Sequence, residues 1–147
     1  MTTRAWACLL VVLLLTGLLV PLAANAADAA KARRVAPTID VVGVRDDGKR
    51  ANGVHFKHLS DLFIYVTWNL PGGPNTQRVE LFAPDGALYQ RFSTEFTSPT
   101  TSTTTETWVP VGGTWITQHS LFGAWRVEVY LGDGTTPVTT SGFVLAE

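Results

Sequence analysis

From Thr38 onward, apolar and polar side chains change places at nearly every second position. That is the period of an extended strand and not the 3.6-residue period of a helix. Ala124 to Leu131 shows it most plainly: Trp125, Val127, Val129 and Leu131 alternate with Arg126, Glu128 and Tyr130. One side of such a strand faces a core and the other faces water, as in an antiparallel sheet. Gln77 to Ala83 repeats the pattern, with Val79 and Leu81 against Arg78 and Glu80. Ala83-Pro84-Asp85-Gly86 then turns the chain, because proline presets φ and glycine accepts a positive one. Leu88 to Phe96 returns with Phe92 and Phe96 opposite Arg91 and Glu95, which predicts a hairpin.

Four further segments complete the pattern. Near Thr38, Ile39 and Val41 alternate with Asp40 and Val42. Leu62 to Trp68 is apolar at nearly every position and predicts a central strand covered on both faces. Thr97 to Thr107 is rich in Thr and Ser and predicts an exposed loop passing into an edge strand that ends at Trp108, Val109 and Val111. Trp115 and Ile116 begin another short apolar piece, and Val138 to Leu145 forms the last strand. Seven or eight short strands between turn signals predict an all-β antiparallel sandwich over residues 38–147.

The first 26 residues are of another kind. Arg4 precedes an apolar run from Ala5 to Leu22, and Ala24-Asn25-Ala26 closes it. A positive start, a hydrophobic middle and a small-x-small end make a secretory signal peptide over residues 1–26. An uncleaved anchor is the alternative, since the run nearly matches a membrane span; Pro21 and the Ala-x-Ala end favour removal. The expected location is therefore exported, either periplasmic or extracellular. Residues 27–37, with Lys31, Arg33 and Arg34 among alanines, read as a flexible tail.

Composition narrows the function. Cys8 lies inside the signal, so the processed chain of about 120 residues has no disulfide and relies on burial within one domain. The formal net charge of −1 becomes slightly more negative once Arg4 is lost, which gives no electrostatic case for nucleic acid.

The segment Gly123-Ala124-Trp125-Arg126-Val127-Glu128-Val129-Tyr130-Leu131-Gly132-Asp133-Gly134 resembles the penultimate strand of immunoglobulin-like β-sandwich modules of exported bacterial proteins. Those modules often open this strand with Gly-x-aromatic and leave it by an Asp-Gly turn. The resemblance implies an immunoglobulin-like sandwich used for adhesion, spacing or partner binding, and it carries over no catalytic residue. This chain lacks the paired cysteines of antibody-type domains, and its last connection, Thr135 to Gly142, is longer and more polar than a tight hairpin.

The candidate chemistry is sparse. His55, His58 and Asp61 could ligate zinc, but spacings of three place strand side chains on opposite faces unless a turn gathers them. His119-Ser120 sets a base beside a hydroxyl without a third orienting group. Glu80, Glu95, Glu106 and Glu128 could supply a carboxylate pair for glycoside hydrolysis, yet their alternation reads as the wet face of a sheet, paired with Arg78, Arg91 and Arg126. Trp108 and Trp115 flank Pro110-Val111-Gly112-Gly113 and could expose flat aromatic faces to a sugar or a partner chain. Trp68 and Trp125 fall on clear strands and belong to the core. The expectation is a non-enzymatic binding or structural module with no cofactor and no stable membrane span after signal removal. Trp108, Trp115 and His119 would meet a protein or glycan partner, with an open edge strand as the route for a polypeptide. The alternatives are a carbohydrate-binding module and a small metal-dependent hydrolase.

Overall fold

The computed structural model describes residues 36–99 and 101–147. The expected signal peptide at 1–26 and the expected tail, apart from Ala36 and Pro37, lie outside the described residues. Nine strands follow one another: β1 Thr38–Arg45, β2 Arg50–Asn52, β3 His55–Lys57, β4 Leu59–Trp68, β5 Gly73–Phe82, β6 Leu88–Ser98, β7 Thr103–Pro110, β8 Gly123–Leu131 and β9 Thr139–Ala146. One helical turn, α1 Trp115–Gln118, separates β7 from β8. No helix among the described residues is long and apolar enough to cross a membrane.

The strands form two sheets, one ordered β2-β1-β4-β7 and the other β3-β9-β8-β5-β6. Their inner faces meet in a single core, because every second side chain of each long strand points inward. Leu62, Ile64, Val66 and Trp68 of β4 oppose Val79 and Leu81 of β5, Trp125, Val127 and Val129 of β8, and Phe143 and Leu145 of β9. Trp125 stacks on Phe143 at 6.2 Å and meets the edge of Tyr89 at 5.2 Å. The predicted hairpin is present: β5 and β6 pair from Gly73↔Ser98 to Phe82↔Leu88. Its turn closes as the sequence dictates, with Asp85 Oδ1 accepting from Ala87 N at 2.9 Å and Gly86 at φ 84°.

One polar cluster crosses this core. Gln77, 1% exposed, points inward from β5. Its Oε1 accepts from Trp68 Nε1 and from Thr105 Oγ1, each at 2.6 Å. Gln77 therefore ties one sheet to two strands of the other.

Five expectations need correction. β4 is central but not covered on both faces: Leu62, Ile64, Val66 and Trp68 are buried, while Phe63, Tyr65 and Thr67 alternate with them on the outer face and are only partly covered. The Thr/Ser tract does pass into the edge strand β7 from Thr103, but it is not exposed throughout: β6 reaches Ser98, and Thr105 and Thr107 are buried. The Thr105 hydroxyl goes inside here because Gln77 supplies it with a buried acceptor. Trp115 and Ile116 open a helical turn, which the Thr114 hydroxyl caps by accepting from Ile116 N at 3.3 Å. The sheets are not wholly antiparallel, since β3 pairs parallel to β9 through His55↔Val144, Phe56↔Leu145 and Lys57↔Ala146. Phe56 fixes that short strand by packing edge-on against Phe143 at 6.1 Å. Finally, Glu80 and Tyr130 are not on a wet face, because both are buried.

Gly43 permits the crowding beside β3. A Cβ there would meet Leu59 Cδ2 at 2.7 Å and Phe56 Cδ1 at 2.8 Å.

Candidate functional site

Apolar side chains gather outside the core on the outer face of the four-stranded sheet. The register aligns Asn52, Val42, Phe63 and Trp108 in one row across the strands, and Asp40, Tyr65 and Glu106 in the next. Phe63 and Tyr65, two apart on β4, stack with centroids 6.3 Å apart and planes 16° from parallel. Val42 is 6% exposed yet stands apart from the core cluster, so its cover comes from this outer row. Trp108 is 56% exposed. Its indole Nε1 donates to Asp61 Oδ1 at 2.7 Å, which fixes the ring while more than half its surface stays free.

The face is acidic where it is aromatic. Asp40, Asp61 and Glu106 flank the rings, and neither β4 nor β7 carries a Lys or Arg. The basic residues of this sheet, Arg45 and Arg50, belong to β1 and β2. Among the described residues β7 pairs with β4 alone, so the outer edge of β7 has no strand partner.

The outer face of the five-stranded sheet is chemically closed by comparison. Glu80 and Glu128 stand directly opposite each other on β5 and β8. Like charges so placed are destabilising unless neutralised. Glu80 Oε1 accepts from Arg78 Nε at 3.1 Å and Arg91 Nε at 2.8 Å. Glu128 takes Arg126 on one oxygen and the Tyr130 hydroxyl, at 2.6 Å, on the other. Arg78 lies over the Tyr130 ring at 4.1 Å and Arg126 over Phe82 at 4.2 Å. Each carboxylate is thus held by donors from neighbouring side chains, an arrangement that ties the sheet face together.

Tyr130 reports on this network. Its hydroxyl is pushed up to about 12, first by the hydrogen bond it gives Glu128, then by burial and the carboxylates' charge. Between the ordinary value of 10.0 and about 12 the unfolded chain has lost the proton that the folded chain retains. Stability is whole below that window and falls as pH rises through it. Thermal melts should show the wild type losing more stability between pH 10 and pH 12 than Tyr130→Phe; parallel curves would show that the hydroxyl is not engaged.

The other sequence candidates are dispersed. His55 lies exposed on β3 in one sheet, Asp61 holds Trp108 on β4 in the other, and His58 sits between them at φ 50°. Among the described residues no three His, Cys, Asp or Glu side chains come together in a way that could hold a metal. Trp115, 59% exposed, leaves α1 with its ring 3.5 Å from that of His119. No ring contact joins it to Trp108 among the described residues. Ser120 makes no side-chain bond to His119; its amide donates to Thr117 O. A cleft of about 370 Å³ beside His58 is lined by Asp46, Gly112, Thr117 and Phe122. The Thr117 hydroxyl there donates to Thr114 O at 3.1 Å and is not presented to a base.

Phe63, Tyr65 and Val42 were missing from the sequence expectation. Their signal was the uninterrupted apolar run Leu62 to Trp68, which fits an aromatic outer face as well as a doubly buried strand.

No family model matches the chain, and no curated protein matches it. Among solved structures, a β-galactosidase-like protein of Bacteroides fragilis is similar at 12% identity, over 77% of this chain and 16% of that longer chain, with a TM-score of 0.38.

Proposed function

We propose that this chain is an exported immunoglobulin-like module that binds a partner protein at the cell envelope or outside the cell and catalyses no reaction. The strand order supports the immunoglobulin-like reading. With the two three-residue strands set aside, the sheets run β1-β4-β7 and β9-β8-β5-β6. Counted as strands A to G, these are A-B-E and G-F-C-D, which differs from a constant-type domain only in the sheet that the fourth strand joins. The 1–26 segment supports export. The pairing of Glu80 and Glu128 with neighbouring arginines and Tyr130, and the dispersal of His55, His58 and Asp61, support a non-enzymatic role.

The observation that carries the binding role is Trp108, more than half exposed, pinned by Asp61 and continued by Phe63 and Tyr65. Exposed, ordered tryptophan is the usual anchor of a binding surface. Parallel rings beside carboxylates also suit a sugar, whose C–H face stacks while its hydroxyls donate, so a glycan is the second reading. Arrays of glycans and of acidic, basic and neutral peptides separate the two. Binding should fall about tenfold or more in Trp108→Ala and stay unchanged in Trp115→Ala. No binding on any array, or equal binding by Trp108→Ala, removes the proposal.

A further inference from the structure

The open edge of β7 and the acidic aromatic face beside it form one continuous surface. We infer that an extended, basic segment of a partner polypeptide docks there as an added strand, its cationic side chains lying over Trp108 and beside Glu106. The inference rests on the binding-module reading and specifies the partner's chemistry.

The backbone argument comes first. Among the described residues the two sheets have four outer strands, β2 and β7 in one and β3 and β6 in the other. Two of them, β2 and β3, are three residues long. The third, β6, carries Arg91 and a register shift against β5. Only β7 is long, unbroken in its pairing with β4 and without a lysine or arginine, and its single proline is its last residue. Natural edges are guarded by short length, charge, proline or bulges, and β7 has almost none of these guards. An edge left so open is fitted for strand addition.

The side chains then select the strand. On an added strand, alternate residues would stand beside Thr104, Glu106 and Trp108 on the outer face, and the others beside Thr105, Thr107 and Val109 toward the core. The outer positions look onto Glu106 and, one strand further in, onto Tyr65 and Asp61. A cation there meets a carboxylate directly across and an indole face within reach. The inner positions meet buried threonine and valine and accept small or β-branched residues. The recognised pattern is thus Arg or Lys at every second position with Val or Thr between. A second copy of this chain fits poorly, because pairing β7 with β7 sets two acidic faces side by side.

The test uses isotope-labelled protein titrated with three probes: acetyl-Thr-Arg-Val-Arg-Val-Arg-Thr-amide, the same peptide with Glu for each Arg, and cellohexaose. The basic peptide should shift the β7 amides and slow their hydrogen exchange, and its affinity should fall as salt is raised. Glu106→Lys should weaken it about tenfold, with Glu106→Gln between; Glu106 is exposed, so neither change threatens the fold. Equal binding of the acidic peptide, no effect of Glu106→Lys, or shifts away from β7 overturn the inference. Binding of cellohexaose at Trp108 without binding of the basic peptide overturns it and leaves the module reading standing. If no probe reaches Trp108, both fall.

Discussion

Replacing Trp125 with alanine is expected to lower the unfolding free energy by about 3–5 kcal/mol, the range for deleting a large aromatic from a packed core. The indole is 2% exposed and sits where both halves of the five-stranded sheet meet. It stacks on Phe143, takes the edge of Tyr89, and gives its Nε1 proton to Leu121 O at 3.0 Å. Alanine removes all three contacts and leaves a void that neighbours on fixed strands fill only in part. Trp125→Phe keeps much of the packing and should recover more than half of the loss. Urea denaturation checks both. A loss below about 1 kcal/mol for the alanine variant would place Trp125 outside the core, since values that small belong to surface positions.

Gln77→Ala should also be damaging, for a different reason. It strips the shared acceptor from Trp68 Nε1 and Thr105 Oγ1, both buried. Thr105 Oγ1 keeps Val66 O at 3.3 Å, but Trp68 Nε1 is orphaned at a cost of about 1–3 kcal/mol. Gln77→Leu restores volume but not the acceptor and should remain well below wild type. Adding Thr105→Val to Gln77→Leu removes a hydroxyl left with only its 3.3 Å bond to Val66 O and should recover about 0.5 kcal/mol. If the double variant is no better than Gln77→Leu alone, the hydroxyl does not depend on this amide. The measurement is the urea midpoint of the set, with unchanged slopes showing that the comparison is of stability alone.

The sandwich was legible because alternation is a direct imprint of a sheet with one dry side. Trp125, Val127 and Val129 needed nothing more than their spacing. The turn at Ala83 to Gly86 was legible because its residue types are chosen by backbone angle. What the pattern could not show were features set by distant neighbours. The alternation puts Gln77 on the same face as Val79, but only the presence of Trp68 and Thr105 across the core makes an inward amide favourable. Glu80 reads as solvated, and its burial depends on two arginines, one on its own strand and one on β6. β3 is too short to announce itself, and its parallel partner lies at the far end of the domain. The site was half legible. Trp108 stood out by its surroundings, but its pairing with Phe63 follows from the β4–β7 register, which no local pattern encodes. Trp115 was grouped with Trp108, but its ring meets His119 instead, since one helical turn redirects the chain after Gly113.

The parallel pairing of β3 with β9 bears on how the molecule is made. His55 finds Val144, and Phe56 finds Leu145, only when nearly every residue of the domain has been synthesised. β3 therefore leaves the ribosome long before its partner is made, whereas β1 meets β2 and β4 early. Topologies with such distant pairings fold slowly. The β3–β9 pair can therefore close only after the β1–β4 pair and the β5–β6 hairpin already have both of their strands.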